Sequence, residues 1–149
     1  MKRTLILFVL ATLVLGGLTM GVGAQEIDLT GFIDDWEPTD VGPKVIGIVP
    51  WSMAQEFNST VAETSKRLCE QLGWTARIYD PDSDWTKMVQ IVEDLIIQQV
   101  DGIIFTAIDA DAASALVDRV HEAGMKIVAY DCTPSAGNTD MDVVYDDYM

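Results

Sequence analysis

The sequence is poor in cysteine and in basic residues, and each shortage excludes a class of protein. Its 149 residues include two cysteines, which are too few for a disulfide scaffold. Nine lysines and arginines stand against 24 aspartates and glutamates, and the formal net charge is −15. Nucleic acid is therefore not expected as a partner, because a phosphate-binding surface needs clustered basic residues. Apolar residues make up 49% of the chain, which is enough to build the core of one ordinary domain and excludes global disorder.

The first 24 residues have the pattern of an export signal. Lys2 and Arg3 precede an almost wholly apolar run at residues 5–15, and glycines and other small residues lead to Ala24. An uncleaved membrane anchor is the alternative, because the low-polarity stretch is nearly long enough to span a bilayer. Small residues at the expected cleavage positions favour a signal peptide. We therefore expect residues 1–24 to be removed and the protein to be periplasmic or otherwise extracytoplasmic.

The remainder of the chain predicts an acidic lead-in followed by one folded domain. Residues 25–43 lack a clear hydrophobic period and predict a flexible segment, and residues 44–149 predict the domain. Strands are predicted at 44–49, 74–79, 102–105, 126–130 and 141–145. Helices are predicted at 54–72, 84–99 and 110–122. This alternation predicts an α/β fold, a doubly wound parallel sheet with helices on both faces.

Each predicted helix carries an apolar stripe and a recognisable first turn. In the first helix, the residues expected to face the core are Phe57, Val61, Leu68 and Leu72. Asp84 and Asp109 precede the second and third helices, where their carboxylates can cap the first turn. The stripes of Leu, Ile, Val and Met are therefore assigned to the core and not to a cofactor site.

The residues that follow the strands are the candidates for a ligand site. In open parallel sheets, ligands bind beyond the carboxyl ends of the strands, near the point where the strand order reverses. The residues expected at that edge are Trp51, Ser52, Phe57, Asp80, Thr106, Asp109, Asp131 and Cys132. Aromatic rings can cover the C–H face of a sugar while carboxylates accept bonds from its hydroxyls, so this set suits a small polyhydroxylated ligand. The same aspartates could serve only as caps and turn formers.

Two stretches of the domain carry a family resemblance. They are KVIGIVPWSMAQEFNSTVAETSKRLCEQLGW and MVQIVEDLIIQQVDGIIFTAIDADAASALVDRVHEAGMKIVAYD. With the order of elements over residues 44–148, they resemble the first lobe of bacterial periplasmic solute-binding proteins, specifically the ribose- and galactose-type proteins of sugar ABC transporters. The resemblance implies a type I periplasmic-binding-protein fold. It also implies a non-enzymatic receptor without a cofactor, which delivers a monosaccharide or similar polyol to the membrane subunits of an ABC permease.

The resemblance also implies roles for individual residues. Gln55 and Phe57 fall where the family has a polar and an aromatic sugar contact, and Trp51 lies just before them. Thr106 stands where the family often has Asn at the end of the third strand. Asp131 matches an Asp that binds sugar hydroxyls and is the strongest of these correspondences.

Three features depart from the family pattern. Cys132 stands where the ribose-type proteins have Arg, and its side chain is no planar bidentate donor. Asn58 stands in place of the second aromatic of the usual pair. Family members close two lobes around their ligand, whereas the resemblance here extends to one. We therefore expect an N-terminal fragment that binds sugar weakly or not at all by itself.

Several other motifs have simpler explanations. An exported α/β carbohydrate-active hydrolase is the alternative function, with Asp80 and Asp131 as its two carboxylates. The acidic run that begins at Asp80 starts like a calcium loop but has Trp85 where Gly is required, so no metal site is expected. His121, the only histidine, is expected to be structural at a helix end. No glycine-rich phosphate motif follows a strand, which argues against a nucleotide cofactor.

The two cysteines could form a disulfide in an oxidising compartment. Cys69 is predicted late in the first helix and Cys132 just after the fourth strand. These positions are expected to lie on different faces of the sheet. Two free thiols are therefore the favoured interpretation.

Overall fold

The apolar runs form strands and the periodic segments form helices, in strict alternation up to the last strand. The computed structural model describes residues 42–144, so the predicted signal peptide and most of the predicted lead-in lie outside the described residues. The strands are β1 (Val45–Val49), β2 (Thr75–Ile78), β3 (Gly102–Phe105), β4 (Lys126–Tyr130) and β5 (Met141–Val143). The helices are α1 (Glu56–Gln71), α2 (Trp85–Gln98) and α3 (Ala110–Glu122). Each prediction is confirmed to within about two residues at either end.

The five strands form one parallel sheet in the order β2-β1-β3-β4-β5. The chain moves outward from β1 to β2 and then returns past β1 to β3, so the strand order reverses beside β1. In the register of the sheet, Ile48 lies next to Ile78 on one side and next to Ile104 on the other. The predicted doubly wound α/β fold is confirmed.

The core has two parts, one on each face of the sheet. On one face, α2 and α3 pack against the strands, and residues such as Leu95, Val117 and Phe105 are fully buried. On the opposite face, α1 covers β1 and β2 through the second cluster, Ile46, Ile48, Ala62, Cys69 and Ala76. Strands that are buried on both faces need apolar residues at successive positions. That requirement explains the unbroken apolar runs at β1 and β3.

The inward face predicted for α1 is wrong by about one residue. The predicted inward residues were Phe57, Val61, Leu68 and Leu72. The residues that the structure buries are Asn58, Ala62 and Cys69, and the Phe57 side chain is 43% exposed. The small side chains of Ala62 and Cys69 allow α1 to lie close to the isoleucines of β1, and the buried Asn58 has hydrogen-bond partners. The rotation of this helix about its axis is therefore set by close packing of small residues, and its larger apolar residues are left less buried.

The predicted caps of the second and third helices are confirmed. Asp84 Oδ1 accepts a hydrogen bond from the Lys87 amide at 3.1 Å. Asp109 Oδ1 accepts from the amides of Asp111 and Ala112 at 3.1 and 3.0 Å. These carboxylates satisfy amides that the first turn of a helix leaves without partners.

Within residues 42–144, the structure contains no helix with both the length and the apolar composition that a membrane span requires.

Asp140 ties the start of β4 to the loop before β5. Its carboxylate accepts hydrogen bonds from Lys126 Nζ at 2.7 Å and from the Ile127 amide at 2.8 Å, and it lies 3.0 Å from His121 Nε2. Burial by itself raises the pKa of Asp140, but the bonds from Lys126, Ile127 and His121 outweigh it and lower the pKa to about 2. His121 thus has the structural role that the sequence predicts.

Replacing Asp140 with Ala should lower the free energy of unfolding at pH 7 by about 1–2 kcal/mol. Hydrogen bonds to a charged group are worth about 1.5–3 kcal/mol each, and partial solvent exposure reduces that value here. Because the folded pKa lies below the unfolded value of about 3.9, the contribution is present above pH 4 and is lost as the pH falls toward 2. Urea unfolding of both proteins across this range measures the effect.

The matched control is Asp94→Ala, an exposed aspartate on α2. It should change the free energy of unfolding by no more than about 0.5 kcal/mol at either pH. A deficit in the Asp140 variant that is equally large at pH 7 and at pH 2 would contradict the assignment.

Candidate ligand-binding site

Three neighbouring strands, β1, β3 and β4, end at the same edge of the sheet and carry the candidate residues with them. The strand order reverses beside β1, so the switch point lies between the carboxyl ends of β1 and β3. Trp51 lies two residues after β1, while Thr106 and Asp131 directly follow β3 and β4. The structure therefore brings Trp51, Thr106 and Asp131 to one edge, as the sequence predicts.

The loop after β1 is held by hydrogen bonds to the loop after β2. Asp80 Oδ1 accepts from the Met53 amide at 3.2 Å and from the Asp82 amide at 2.8 Å. The Ser83 amide donates to the carbonyl oxygen of Trp51 at 2.9 Å. Trp51 itself is partly buried. Asp80 thus joins the two loops at this edge.

The first turn of α1 brings two further candidates to the edge. Gln55 is exposed and directly precedes α1, and its Oε1 accepts a hydrogen bond from Asn58 Nδ2 at 2.8 Å. The Asn58 Oδ1 in turn accepts from the Tyr130 hydroxyl at 3.1 Å. The rings of Phe57 and Tyr130 are tilted by 58° with centroids 6.5 Å apart. Through Tyr130, the last residue of β4, both Gln55 and Phe57 are linked to the strand that leads into Asp131.

Thr106 lies beneath this edge and not on its surface. Its side chain is fully buried, and its Oγ1 accepts a hydrogen bond from the Cys132 amide at 3.4 Å. The Ala107 amide donates to the carbonyl oxygen of Cys132 at 2.8 Å. Thr106 and Ala107 therefore fix the backbone of the loop in which Asp131 stands.

Asp131 has a left-handed backbone with φ of 62°, and its amide donates to the Val143 carbonyl at 2.9 Å. Aspartate tolerates this conformation better than most residues do. The side chain is partly buried. Among residues 42–144, nothing donates a hydrogen bond to the Asp131 carboxylate. Carboxylate oxygens of this kind can accept hydrogen bonds from the hydroxyl groups of a ligand.

Cys132 gives the edge an uncharged side chain beside Asp131. Burial raises the pKa of its thiol, and the nearby negative charge of Asp131 raises it further. Burial also raises the pKa of the Cys69 thiol. Both cysteines are free, as the sequence favours. At neutral pH neither thiol is a thiolate, so neither offers a reactive nucleophile.

Asp109 follows β3 at the same edge but is engaged by its own helix. One of its carboxylate oxygens accepts hydrogen bonds from two amides of the first turn of α3.

Between residues 42 and 144, no three histidine, cysteine, aspartate or glutamate side chains are grouped so that they could hold a metal ion.

Sequence reasoning missed Asn58 and Tyr130 as parts of this site. Asn58 stands in the first turn of a helix and is followed by Ser and Thr, a context typical of exposed positions. The available signal was the tyrosine that ends the apolar run KIVAY, because a buried tyrosine hydroxyl usually finds a hydrogen-bond partner.

Comparison with known proteins gives one family match and many structural ones. A family model described as periplasmic binding protein domain matches residues 46–148. The domain is similar to an ABC transporter solute-binding protein from Clostridium phytofermentas with bound L-rhamnose, with a TM-score of 0.65 and 21% identity over 69% of this chain and 32% of that chain. A search of the curated proteins found no significant match.

Two further solved structures show the same fold. The solute-binding protein from Bacillus halodurans C-125 with bound myo-inositol has a TM-score of 0.57 and 28% identity over 62% of this chain and 32% of that chain. The one from Agrobacterium vitis with bound allitol has a TM-score of 0.63 and 20% identity over 70% of this chain and 35% of that chain. The matched region spans about a third of the length of these proteins.

Proposed function

The chain belongs to the periplasmic binding protein domain family, and on that basis we propose that it is an exported binding protein for a sugar or polyol that serves an ABC transporter. It has the type I periplasmic-binding-protein fold that its sequence resembles. The observation that carries the proposal is the edge at the strand-order reversal, to which the fold brings the Asp131 carboxylate, the exposed Gln55 amide and the exposed Phe57 ring.

The chemistry of this edge suits a neutral polyhydroxylated solute. The ring of Phe57, 43% exposed, offers an apolar surface for the C–H face of a sugar, and Trp51 adds a second aromatic. Asp131 supplies hydrogen-bond acceptors and Gln55 supplies donors, so adjacent hydroxyls can both donate and accept. The solved structures with bound L-rhamnose, myo-inositol and allitol hold ligands of this kind.

The ligand contacts that we assign follow from these positions. Trp51, Gln55, Phe57 and Asp131 meet the solute directly. Thr106 acts from below by holding the backbone of Cys132, and Cys132 lines the edge as an uncharged neighbour of Asp131. Asp109 contributes a carboxylate at the rim while it caps α3. The binding role needs no cofactor.

The hydrolase alternative has less support at this edge. Its proposed pair of carboxylates was Asp80 and Asp131. The Asp80 carboxylate accepts hydrogen bonds from two backbone amides and thereby joins two loops, so it has a structural role. The family membership and the solved structures with bound polyols favour binding without turnover.

Three further assignments complete the proposal. We assign residues 1–24 as a signal peptide, residues 25–43 as a lead-in and residues 44–149 as the binding lobe, so that the mature protein is periplasmic. Its partner is the membrane permease of an ABC transporter. Because the matched region spans about a third of the length of the solved proteins, we expect it to contact one side of the solute only and to bind it weakly.

Titration of the purified protein with myo-inositol, L-rhamnose and allitol tests the proposal, with amide chemical shifts as the readout because they detect weak binding. We expect saturable shifts for at least one solute, centred on residues 51–57 and 130–132. Asp131→Asn should weaken that binding at least about tenfold, because it removes the charged acceptor and keeps the shape of the side chain.

The matched control is Asp94→Asn, the same substitution at an exposed position on α2. It should leave the shifts and the affinity unchanged. An absence of saturable shifts with every solute would overturn the binding role. Release of product from a chromogenic glycoside would favour the hydrolase instead.

A further inference from the structure

A buried polar pair lies behind the candidate site and joins two distant parts of the chain. Tyr130 at the end of β4 is 5% exposed and Asn58 in the first turn of α1 is 3% exposed. The tyrosine hydroxyl donates to Asn58 Oδ1 at 3.1 Å across a sequence separation of 72 residues. Two buried polar side chains cost free energy unless they are mutually satisfied, so this contact is specific.

The pair extends through Asn58 to the Gln55 carboxamide. Because Asn58 Oδ1 receives the tyrosine hydroxyl, Asn58 Nδ2 is directed to Gln55 Oε1, with a donor–acceptor distance of 2.8 Å. A glutamine side chain has one carbonyl oxygen and one NH2 group. With the oxygen engaged by Asn58, the NH2 group of the exposed Gln55 side chain remains to donate. The exposed amide can thereby act as a hydrogen-bond donor toward a ligand.

The same tyrosine also supports the exposed aromatic ring. The Phe57 and Tyr130 rings lie 6.5 Å apart between centroids and are tilted by 58°, within the range of favourable aromatic pairs. Phe57 is 43% exposed while Tyr130 is buried, so the buried ring supports the exposed one from below. Two candidate contacts of α1 thus depend on one residue of β4.

We propose that Tyr130 and Asn58 are positioning residues of the binding site, which fix Gln55 as a hydrogen-bond donor and hold the Phe57 ring against the solute. The inference rests on the proposed function. Since Tyr130 is followed directly by Asp131, the end of β4 supplies the acceptor itself and, through Asn58, holds the donor Gln55. The geometry favours a solute with neighbouring neutral hydroxyls, each able to accept from Gln55 or donate to Asp131.

We call the hydrogen bonds from Tyr130 through Asn58 to Gln55 the relay. Tyr130→Phe tests it, because this variant removes the hydroxyl and keeps the ring beside Phe57. We expect it to weaken binding of the best polyol by about 3- to 10-fold, the range for one neutral hydrogen bond. In a Gln55→Ala background the same substitution should have no further effect on affinity. Additive losses in the two single variants and the double variant would overturn the inference, as would an unchanged affinity for Tyr130→Phe.

A second readout needs no ligand and separates the two proposals. In the free protein the side-chain NH2 resonances of Gln55 should be well dispersed and should shift toward those of a solvent-exposed glutamine in Tyr130→Phe. The control is Tyr79→Phe, which removes a hydroxyl from a partly buried tyrosine beside the α2–α3 core and should leave these resonances unchanged.

The two readouts have distinct meanings. If no polyol binds the unaltered protein, the proposed function fails, and the Gln55 resonances alone decide whether the relay exists. If those resonances do not respond to Tyr130→Phe, the positioning role is wrong whatever the protein binds.

Discussion

Replacing Phe105 with Ala is expected to lower the free energy of unfolding by about 3–5 kcal/mol. Phe105 ends β3, the middle strand of the sheet, and is fully buried in the core beneath α2 and α3. It lies beside Val49 of β1 and Ala129 of β4 in the register of the sheet, so the cavity opens between three strands and two helices. Domains of this size have total stabilities of about 5–15 kcal/mol, so a large share of the stability should be lost.

The matched control removes the same atoms from the surface. Phe57 is 43% exposed and touches the ring of Tyr130, so Phe57→Ala should cost less than about 1 kcal/mol. Denaturant unfolding of the unaltered protein and the two variants measures both values. Similar losses for the two variants would contradict the placement of Phe105 in the core beneath α2 and α3.

The strands and the class of fold could be predicted from local sequence alone. VIGIV and GIIF are short, apolar throughout and free of helical period, which is the pattern of strands buried on both faces. The helix starts were equally readable, because Asp84 and Asp109 are effective caps. The alternation of these elements then predicts a parallel sheet, and the parallel sheet places the candidate residues at one edge.

The internal arrangement of the site could not be predicted in the same way. The contact between Tyr130 and Asn58 joins residues that are 72 positions apart, and no local pattern encodes it. The rotation of α1 was equally inaccessible, because both sets of residues along that helix have helical spacing. The helix face that packs against β1 is the one with the small residues Ala62 and Cys69. Once that choice is made, Asn58 turns inward and Phe57 turns outward toward the edge.

Gly47 lies in the middle of β1, where the strand meets α2 at very short range. A Cβ atom at this position would lie 2.6 Å from Leu95 Cδ1 and 3.0 Å from Leu95 Cδ2. Leu95 is fully buried and cannot swing into solvent. Gly47→Ala should therefore lower the free energy of unfolding by about 1–3 kcal/mol through overpacking. The control is Gly102→Ala on the neighbouring β3, where the nearest atom, the Lys126 carbonyl oxygen, would lie at 3.4 Å.

A double-mutant cycle decides whether this cost arises at Leu95. Leu95→Ala alone should lower the free energy of unfolding by about 2–5 kcal/mol, because it leaves a cavity beneath α2. In the double variant, the new methyl group at position 47 enters that cavity and the clash disappears together with the leucine. The combined loss should therefore be smaller than the sum of the single losses by at least about 1 kcal/mol. Strictly additive losses would mean that the glycine is required by the strand backbone and not by the approach of α2.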